Sequence, residues 1–505
     1  MVTDDQAEAI AFLARGESYG HRNDAPQRID THSSIVFLIG DRVFKIKRAV
    51  KFSFLDYSTL ANRARFCRAE FELNRRTAPA LYRRVRTLTR ASDGGLQWDG
   101  EGAPVEPVLE MARFDDDALF DRLAESGRLT PALMVQLADI IAAFHAAAPP
   151  MPGFGGCAGI AAVVADNHAN LVAGCPPLAR GAVDALRIAS EEALTRHGPV
   201  LDVRRAAGNV RRCHGDLHLR NICLFDGAPT LFDCIEFSDD IACIDTLYDF
   251  AFLLMDIEHR GLRPVGNVVF NRYVDRMDES AGLGALPLLM FVRAAIRAKV
   301  AIAALKVDAD AATEAKAYLD LATVLLKPAS PRLIAVGGLS GSGKSTVAAG
   351  LAGDFAPAPG ARHIRSDVVR KSLMKVAPEM RLPSAAYTHE ATERVYRVAR
   401  EQATAALAAG YSAIVDATFI DARERAAIAA VAAHAGVPFT GLWLNAPDSI
   451  LLARVAQRRG DTSDADVAVL TRQLGADIGA MNWPGVDVSG DATAALAAAR
   501  AALAP

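Results

Sequence analysis

Two short runs in the 505-residue chain carry side chains suited to phosphate chemistry. The first, His214-Gly215-Asp216-Leu217-His218-Leu219-Arg220-Asn221, has the spacing H-G-D-x-x-x-x-N, and Asp233 follows twelve residues after Asn221. Phosphoryl transfer wants one carboxylate to meet the acceptor hydroxyl, and an amide with a second carboxylate to hold Mg²⁺ against the nucleotide phosphates. Asp216 is then the candidate base, and Asn221 and Asp233 the candidate metal ligands. The second run, Gly338-Leu339-Ser340-Gly341-Ser342-Gly343-Lys344-Ser345, satisfies G-x-x-x-x-G-K-[ST] and leads into a helical pattern from Thr346. Glycines Gly338, Gly341 and Gly343, with Ser342 between them, let the backbone wrap a phosphate chain with N–H groups inward, and the helix start at Thr346 adds partial positive charge. Lys344 reaches the β- and γ-phosphates and the Ser345 hydroxyl ligates Mg²⁺. ATP and Mg²⁺ are the expected cofactors of both runs.

More charged residues surround the second run. Asp416 ends the apolar run Ala413-Ile414-Val415, where a parallel sheet presents residues to a ligand, and is a candidate magnesium holder. Asp367, with Arg370 three residues on, places an acid and a cation at one helix start, fit to take a hydroxyl proton and clamp an acceptor. The bland alternative for either carboxylate is a helix N-cap. Arg454 and Arg458 are four apart on one helix face, either a lid over the transferring phosphate or a solvated charged surface.

The elements that must position these residues are legible in outline. Ile35 to Ile39, the turn Gly40-Asp41 and Val43 to Lys47 form a hairpin, followed by a polar, Arg-rich helix over about 58–77 and mixed strands to Phe114. Ile222 to Phe225 turns at Asp226-Gly227, which brings Asp233 back beside Asn221. Helical patterns dominate from Thr130 until Lys327-Pro328-Ala329-Ser330-Pro331, where two prolines stop the helix before a fresh strand. Beyond them short apolar strands alternate with alanine-rich helices, the signature of a parallel sheet covered by helices. The expected domains are therefore 1–326, a linker at 327–331, and 332–505.

Composition excludes several classes. With 56 Lys plus Arg against 59 Asp plus Glu, the net charge of −3 argues against a broad nucleic-acid surface. Seven cysteines without a C-x-x-C pair suggest neither a disulfide framework nor a zinc site, and a cytoplasmic protein is expected. The most apolar long segment, Leu283 to Leu305, is interrupted by Arg293, Arg297 and Lys299, so it predicts a buried helix and no membrane partner.

On the H-G-D-x-x-x-x-N run and Asp233, residues 25–325 resemble the aminoglycoside phosphotransferase and choline-kinase branch of the protein-kinase-like fold. The resemblance implies Asp216 as base, Asn221 and Asp233 as metal ligands and His214 as a brace. It places the nucleotide lysine on Lys45, with Lys47 on the same strand face as competitor, and its helical partner on Glu70, with Glu72 second. It further implies an adenine hinge at Val108 to Met111, a cover at Thr31 to Ser34 in place of a glycine-rich loop, and a scaffold role for Asp245 to Asp249. On the G-x-x-x-x-G-K-S run, residues 331–505 resemble the P-loop kinases that act on gluconate, shikimate and polynucleotide 5′ ends. Arg365 to Arg370 looks like the acceptor motif of polynucleotide kinase, with Asp367 as base and Arg370 on the acceptor, and Arg454 and Arg458 fit the group's lid.

The expected architecture is multidomain, α+β and α/β: a bilobal protein-kinase-like fold followed by a P-loop NTPase α/β/α parallel-sheet domain. The expected function is ATP-dependent phosphorylation of small hydroxylated molecules at two sites. The alternatives are a nucleotide-gated regulator without an acceptor, and a 5′-hydroxyl polynucleotide kinase in the C-terminal half.

Overall fold

The structure, a computed structural model, describes residues 5–21, 24–52, 55–174, 180–304, 311–457 and 462–503. Compactness divides the chain into one unit of Met1–Ile160 with Asp202–Asp256 and a second of Ala161–Leu201 with Ile257–Pro505. The helices of 257–325 thus belong to the same unit as the chain beyond the two prolines.

In the first unit, six antiparallel strands run in the order Gln27–Asp30, Ser34–Ile39, Arg42–Lys47, Pro104–Ala112, Tyr82–Arg90 and Leu96–Trp98. Strand alternation sorts the side chains of Arg42–Lys47: Phe44 and Ile46 pack into a core with Ile35, Phe37 and Leu88. Val43, Lys45 and Lys47 therefore face the other way, toward the helix Leu60–Asn74. That helix starts at Thr59, whose hydroxyl accepts from the Asn62 N–H. It is pinned to the Pro104–Ala112 strand by a buried two-pronged ion pair, Arg63 to Glu106 at 2.8 and 3.0 Å. The hairpin Ile222–Phe225 and Ala228–Leu231 turns at Asp226 and Gly227, both left-handed, as a tight two-residue turn requires.

In the second unit, five parallel strands stand in the order Arg362–Arg365, Ala413–Asp416, Leu333–Gly338, Phe439–Asn445 and Gly485–Asp487. Strand Leu333–Gly338 sits at the centre and is buried along its length, so its carboxyl end delivers the glycine-rich run to the middle of the sheet edge. Helices Lys344–Ala352 and Ala492–Leu503 cover one face through Val347, Ala348, Leu351, Ala495 and Ala499. The apolar segment after Leu283 forms the helix Leu286–Ala304, in which Arg293 is buried. Among the described residues no helix is long and apolar enough to cross a membrane, and the six described cysteines are free thiols.

Candidate active sites

The first site is assembled around Glu70. Its Oε1 accepts from Lys45 Nζ and its Oε2 from Lys47 Nζ, each at 2.7 Å, so the two lysines expected to compete share one carboxylate. Lys45 continues to Asp233 Oδ1 at 2.6 Å. Lys47 instead pairs with Glu236 and the Tyr57 hydroxyl and is buried. Only Lys45 therefore links the helix to the candidate metal ligand. Glu72 is exposed on the outer side of the same helix. Burial works to raise the pKa of Glu70, but the two ammonium groups overcome it and hold the carboxyl at about 2. Glu236 has one close cation, and there burial prevails and raises the pKa. Burial by itself lowers the pKa of Lys45, yet Asp233 first and Glu70 second outweigh it and keep the ammonium charged.

Asp233 takes a left-handed backbone, φ 60°, and its N–H donates to the Tyr82 hydroxyl at 3.0 Å. The Cys234 N–H donates to Asn74 Oδ1 at 2.9 Å, so the Leu60–Asn74 helix also fixes this turn. Across the hairpin, Asn221 Nδ2 donates to both Asp216 O and Asp216 Oδ2 at 2.9 Å, and His218 Nε2 lies 3.3 Å from Asp216 Oδ2. The Phe232 N–H donates to Asn221 O at 3.0 Å, which keeps the two metal candidates on adjoining chain segments.

A buried frame holds the Asp216 loop. Asp249 accepts the Gly215 N–H at 2.8 Å and the His214 N–H at 3.1 Å, and His145 Nε2 lies 3.0 Å from it. The Leu219 N–H donates to Asp256 Oδ2 at 3.0 Å. Burial lowers the His214 pKa; the neutral ring that donates from Nε2 to Phe232 O and accepts the Asp216 N–H at Nδ1 satisfies both contacts. Gly215 has φ 84°, and a Cβ there would lie 3.0 Å from the Ile235 side chain, so this turn selects glycine.

Two further segments that the resemblance singled out have the following local structure. Val108 to Met111 lie inside the strand Pro104–Ala112, where Leu109 to Met111 pair with Arg42–Lys47 on one side and with Tyr82–Arg90 on the other, and Val108 pairs with Arg86. The Thr31 to Ser34 segment is a closed turn in which the Ser34 N–H donates to Thr31 Oγ1 at 2.9 Å, leaving His32 exposed.

The second site forms around the glycine-rich loop. Gly338, Gly341 and Gly343 have φ of 145°, 84° and 79°, values side chains resist. Lys344 Nζ donates back to Leu339 O at 2.9 Å, and the Ser340 N–H donates to Gln473 Oε1 at 2.9 Å. Ser342 Oγ is fully buried in the loop without a hydrogen-bond partner, and Gly343 faces open space. The first turn of Lys344–Ala352, which includes Ser345 and Thr346, opens at this loop and directs backbone N–H groups toward it, a cradle suited to an anion. At Gly338 a Cβ would lie 2.6 Å from Leu444 O and 2.7 Å from Ser342 Oγ. Gly338→Ala is expected to weaken nucleotide binding at this loop by about tenfold or more, because neighbouring backbone must shift, as calorimetric titration with an ATP analogue would read.

Asp416 stands level with Val336 at the end of the neighbouring strand, its Oδ2 at 2.7 Å from His363 Nε2 and 4.0 Å from Arg365 Nε. Asp367 opens the helix Ser366–Leu373. Burial raises the Asp367 pKa and the nearby Asp416 charge adds to it, whereas burial at Asp416 is outweighed by the His363 hydrogen bond, which lowers that pKa. Two carboxylates pushed apart in this way suit unequal roles, the higher as base and the lower as cation holder. Arg370 is buried and spends its Nη atoms on Ala386 O at 2.7 Å and Thr392 Oγ1 at 3.3 Å, with its guanidinium 4.7 Å over the Tyr387 ring. It holds the 384–392 segment in place. Arg454 is turned to Gly490 O at 2.9 Å, and Arg458 lies outside the described residues.

Sequence reasoning passed over His363 and Asp464. Asp464 accepts from Lys371 at 3.1 Å, the Leu382 N–H at 3.0 Å and the Tyr387 hydroxyl at 2.6 Å, which ties these three residues together. His363 stands four residues before Asp367 in a strand, and a lone polar ring in such a run was the available signal.

Comparison with known proteins places these sites in context. A family model described as phosphotransferase enzyme family matches residues 33–283, and one described as AAA domain matches 333–476. The uncharacterized proteins Rv2004c of Mycobacterium tuberculosis and Mb2027c of Mycobacterium bovis are 31% identical over 471 residues, covering 89% of this chain and 90% of theirs. A choline/ethanolamine kinase family protein from Mesorhizobium loti is similar at 16% identity over 65% of this chain and 95% of its own, TM-score 0.41. A gluconokinase from Sinorhizobium meliloti is similar at 22% over 35% of this chain and 91% of its own, TM-score 0.26.

Proposed function

Because the chain belongs to the family of proteins in which a phosphotransferase-enzyme domain precedes an AAA-type P-loop domain, we propose that it is a bifunctional ATP-dependent kinase. It moves the γ-phosphate to hydroxyl groups of small molecules at two sites. The observation that carries this reading is that each site pairs a phosphate-directed lysine with two roles for oxygen ligands. At the first, Lys45 spans Glu70 and Asp233 while Asn221 is locked to Asp216. At the second, the Lys344 loop meets Asp416 and Asp367.

The donor sets fit Mg²⁺. Asn221 spends its Nδ2 on Asp216, so its carbonyl oxygen is what it offers a cation, and with Asp233 the set is all oxygen. Ser345 and Asp416 make the equivalent oxygen set at the second site. Magnesium, when bound, would neutralise charge on the β- and γ-phosphate oxygens. Lys45 orients the α/β-phosphates, and Lys344 leaves Leu339 O to take the β/γ-phosphates. Asp216 and Asp367 each accept the proton of an acceptor hydroxyl as its oxygen attacks the γ-phosphorus and the bond to the β,γ-bridging oxygen breaks, so that ADP leaves. The raised pKa of Asp367 strengthens it as a base.

The test is ATP consumption and product detection by mass spectrometry across a metabolite pool, comparing the full chain with Asp216→Asn, Lys344→Ala and the double variant. Each single variant is expected to remove a different product. If neither substitution alters nucleotide binding or turnover, the two-site reading fails; ATP turnover without any phosphorylated product favours a regulatory ATPase instead.

A further inference from the structure

The strand Arg362–Arg365 is the edge of the parallel sheet, with one strand neighbour and a row of backbone groups on its open side. Such an edge must be covered or paired. Here it is covered by side chains of the helix Arg263–Met277, which lies within the part of the chain matched by the phosphotransferase family model. Both elements belong to the second compact unit. Asn271 Oδ1 accepts the His363 N–H at 2.8 Å and Arg362 Nη1 at 2.7 Å, while its Nδ2 donates to Ala361 O at 3.1 Å. Asn267, one turn earlier, donates to Ala361 O at 2.9 Å and Pro359 O at 3.2 Å. Asp275, one turn later, pairs with Arg362. All three asparagine and arginine side chains are buried, and Phe270 on the same helix stacks on Tyr411 at 5.7 Å.

The spacing 267, 271, 275 puts these residues on one face of the helix, and the open edge of a strand exposes alternate N–H and C=O groups that match their donors and acceptors. The same strand residue whose N–H is held by Asn271 turns its ring to Asp416, His363 Nε2 standing 2.7 Å from Asp416 Oδ2. Two buried contacts on one residue, Asn271 at the His363 backbone N–H and Asp416 at its ring, therefore link the helix to the carboxylate at the second site.

We infer that Asn271 and His363 are positioning residues for the P-loop site, so that a helix of the phosphotransferase part supplies the frame that orients Asp416 toward a magnesium–nucleotide. The inference rests on the reading of that loop as a nucleotide site. It also means that the cut at 327–331 would strip cover from the sheet edge.

The test uses the full chain. The component of fluorescent ATP-analogue binding that is lost in Lys344→Ala is titrated with Mg²⁺, and the Mg²⁺ midpoint is read. His363→Leu is expected to raise that midpoint about ten- to a hundredfold, and Asn271→Leu to raise it in the same direction by about threefold or more. His363→Gln, which keeps an N–H near the place of Nε2, is expected to restore much of the loss. Arg272→Ala removes a 3.1 Å pair that the same helix makes with Glu379 and is expected to leave the midpoint unchanged. Hydrogen exchange at the His363 amide should quicken in Asn271→Leu. An unmoved midpoint in both His363→Leu and Asn271→Leu, or an equal rise in Arg272→Ala, overturns the inference while the nucleotide-site reading stands. Absence of any Lys344-dependent binding overturns both.

Discussion

Asp216→Asn is expected to lower turnover at the first site about 10²–10⁴-fold while nucleotide affinity holds, the magnitude a positioned general base supplies. The substitution keeps the shape of the side chain and removes its capacity to take a proton. The loop survives it, because its main anchors are elsewhere. Asn221 Nδ2 still bonds the Asp216 backbone oxygen, Asp249 still holds the His214 and Gly215 N–H groups, and Asp256 still holds Leu219. Product formation in a Lys344→Ala background isolates this site. A drop in affinity in place of a drop in turnover would assign Asp216 to nucleotide binding, and unchanged product formation would remove it from the chemistry.

Glu70→Ala is expected to destabilise the first unit by about 3–5 kcal/mol, the range measured when one partner of a buried ion pair is removed. The effect is large because one carboxylate serves two ammonium groups and its side chain is only 2% exposed, with those of Lys45 and Lys47 at 16% and 3%. Without it Lys45 retains Asp233 and Lys47 retains Glu236, so the loss is not complete abandonment of either charge. Chemical denaturation reads the midpoint; a shift worth under about 1 kcal/mol, the level of a surface pair, would show that the cluster is not under this constraint. The pH dependence follows from the same carboxyl. Its pKa is depressed from 4.5 to about 2, so its contribution is full above the ordinary carboxylate value and is lost as pH falls through 4.5 toward 2. Acid unfolding of Glu70→Gln should be correspondingly less steep over that window.

The chemistry-bearing residues were legible because their reactions demand particular types at short, local spacings. H-G-D-x-x-x-x-N and the glycine-rich lysine run are such spacings, and a hairpin with Asp226-Gly227 at its tip brings Asp233 back by local turn geometry alone. The parallel sheet was legible for a similar reason, since strands buried on both faces read as apolar runs. The pairing of Leu109 to Met111 with strands on both sides was not legible, because strand neighbours are set by the tertiary fold. Arg370 read as an acceptor clamp because it lies three residues after Asp367 at a helix start. Its two hydrogen bonds to the 386–392 segment depend on how that segment folds back.

From the sequence alone came the fold class and the candidates for phosphate cradle, base and magnesium donors, all written in local patterns. Tertiary structure decided which lysine meets Asp233, how Glu70 serves both, why the pKa of Asp367 is raised and that of Asp416 lowered, and that Asn271 covers a strand edge ninety residues away. The physical reason is that charge, burial and edge pairing are set by neighbours in space. Those neighbours lie 25 residues off for Glu70 and 188 for Asp233, separations across which no spacing rule operates.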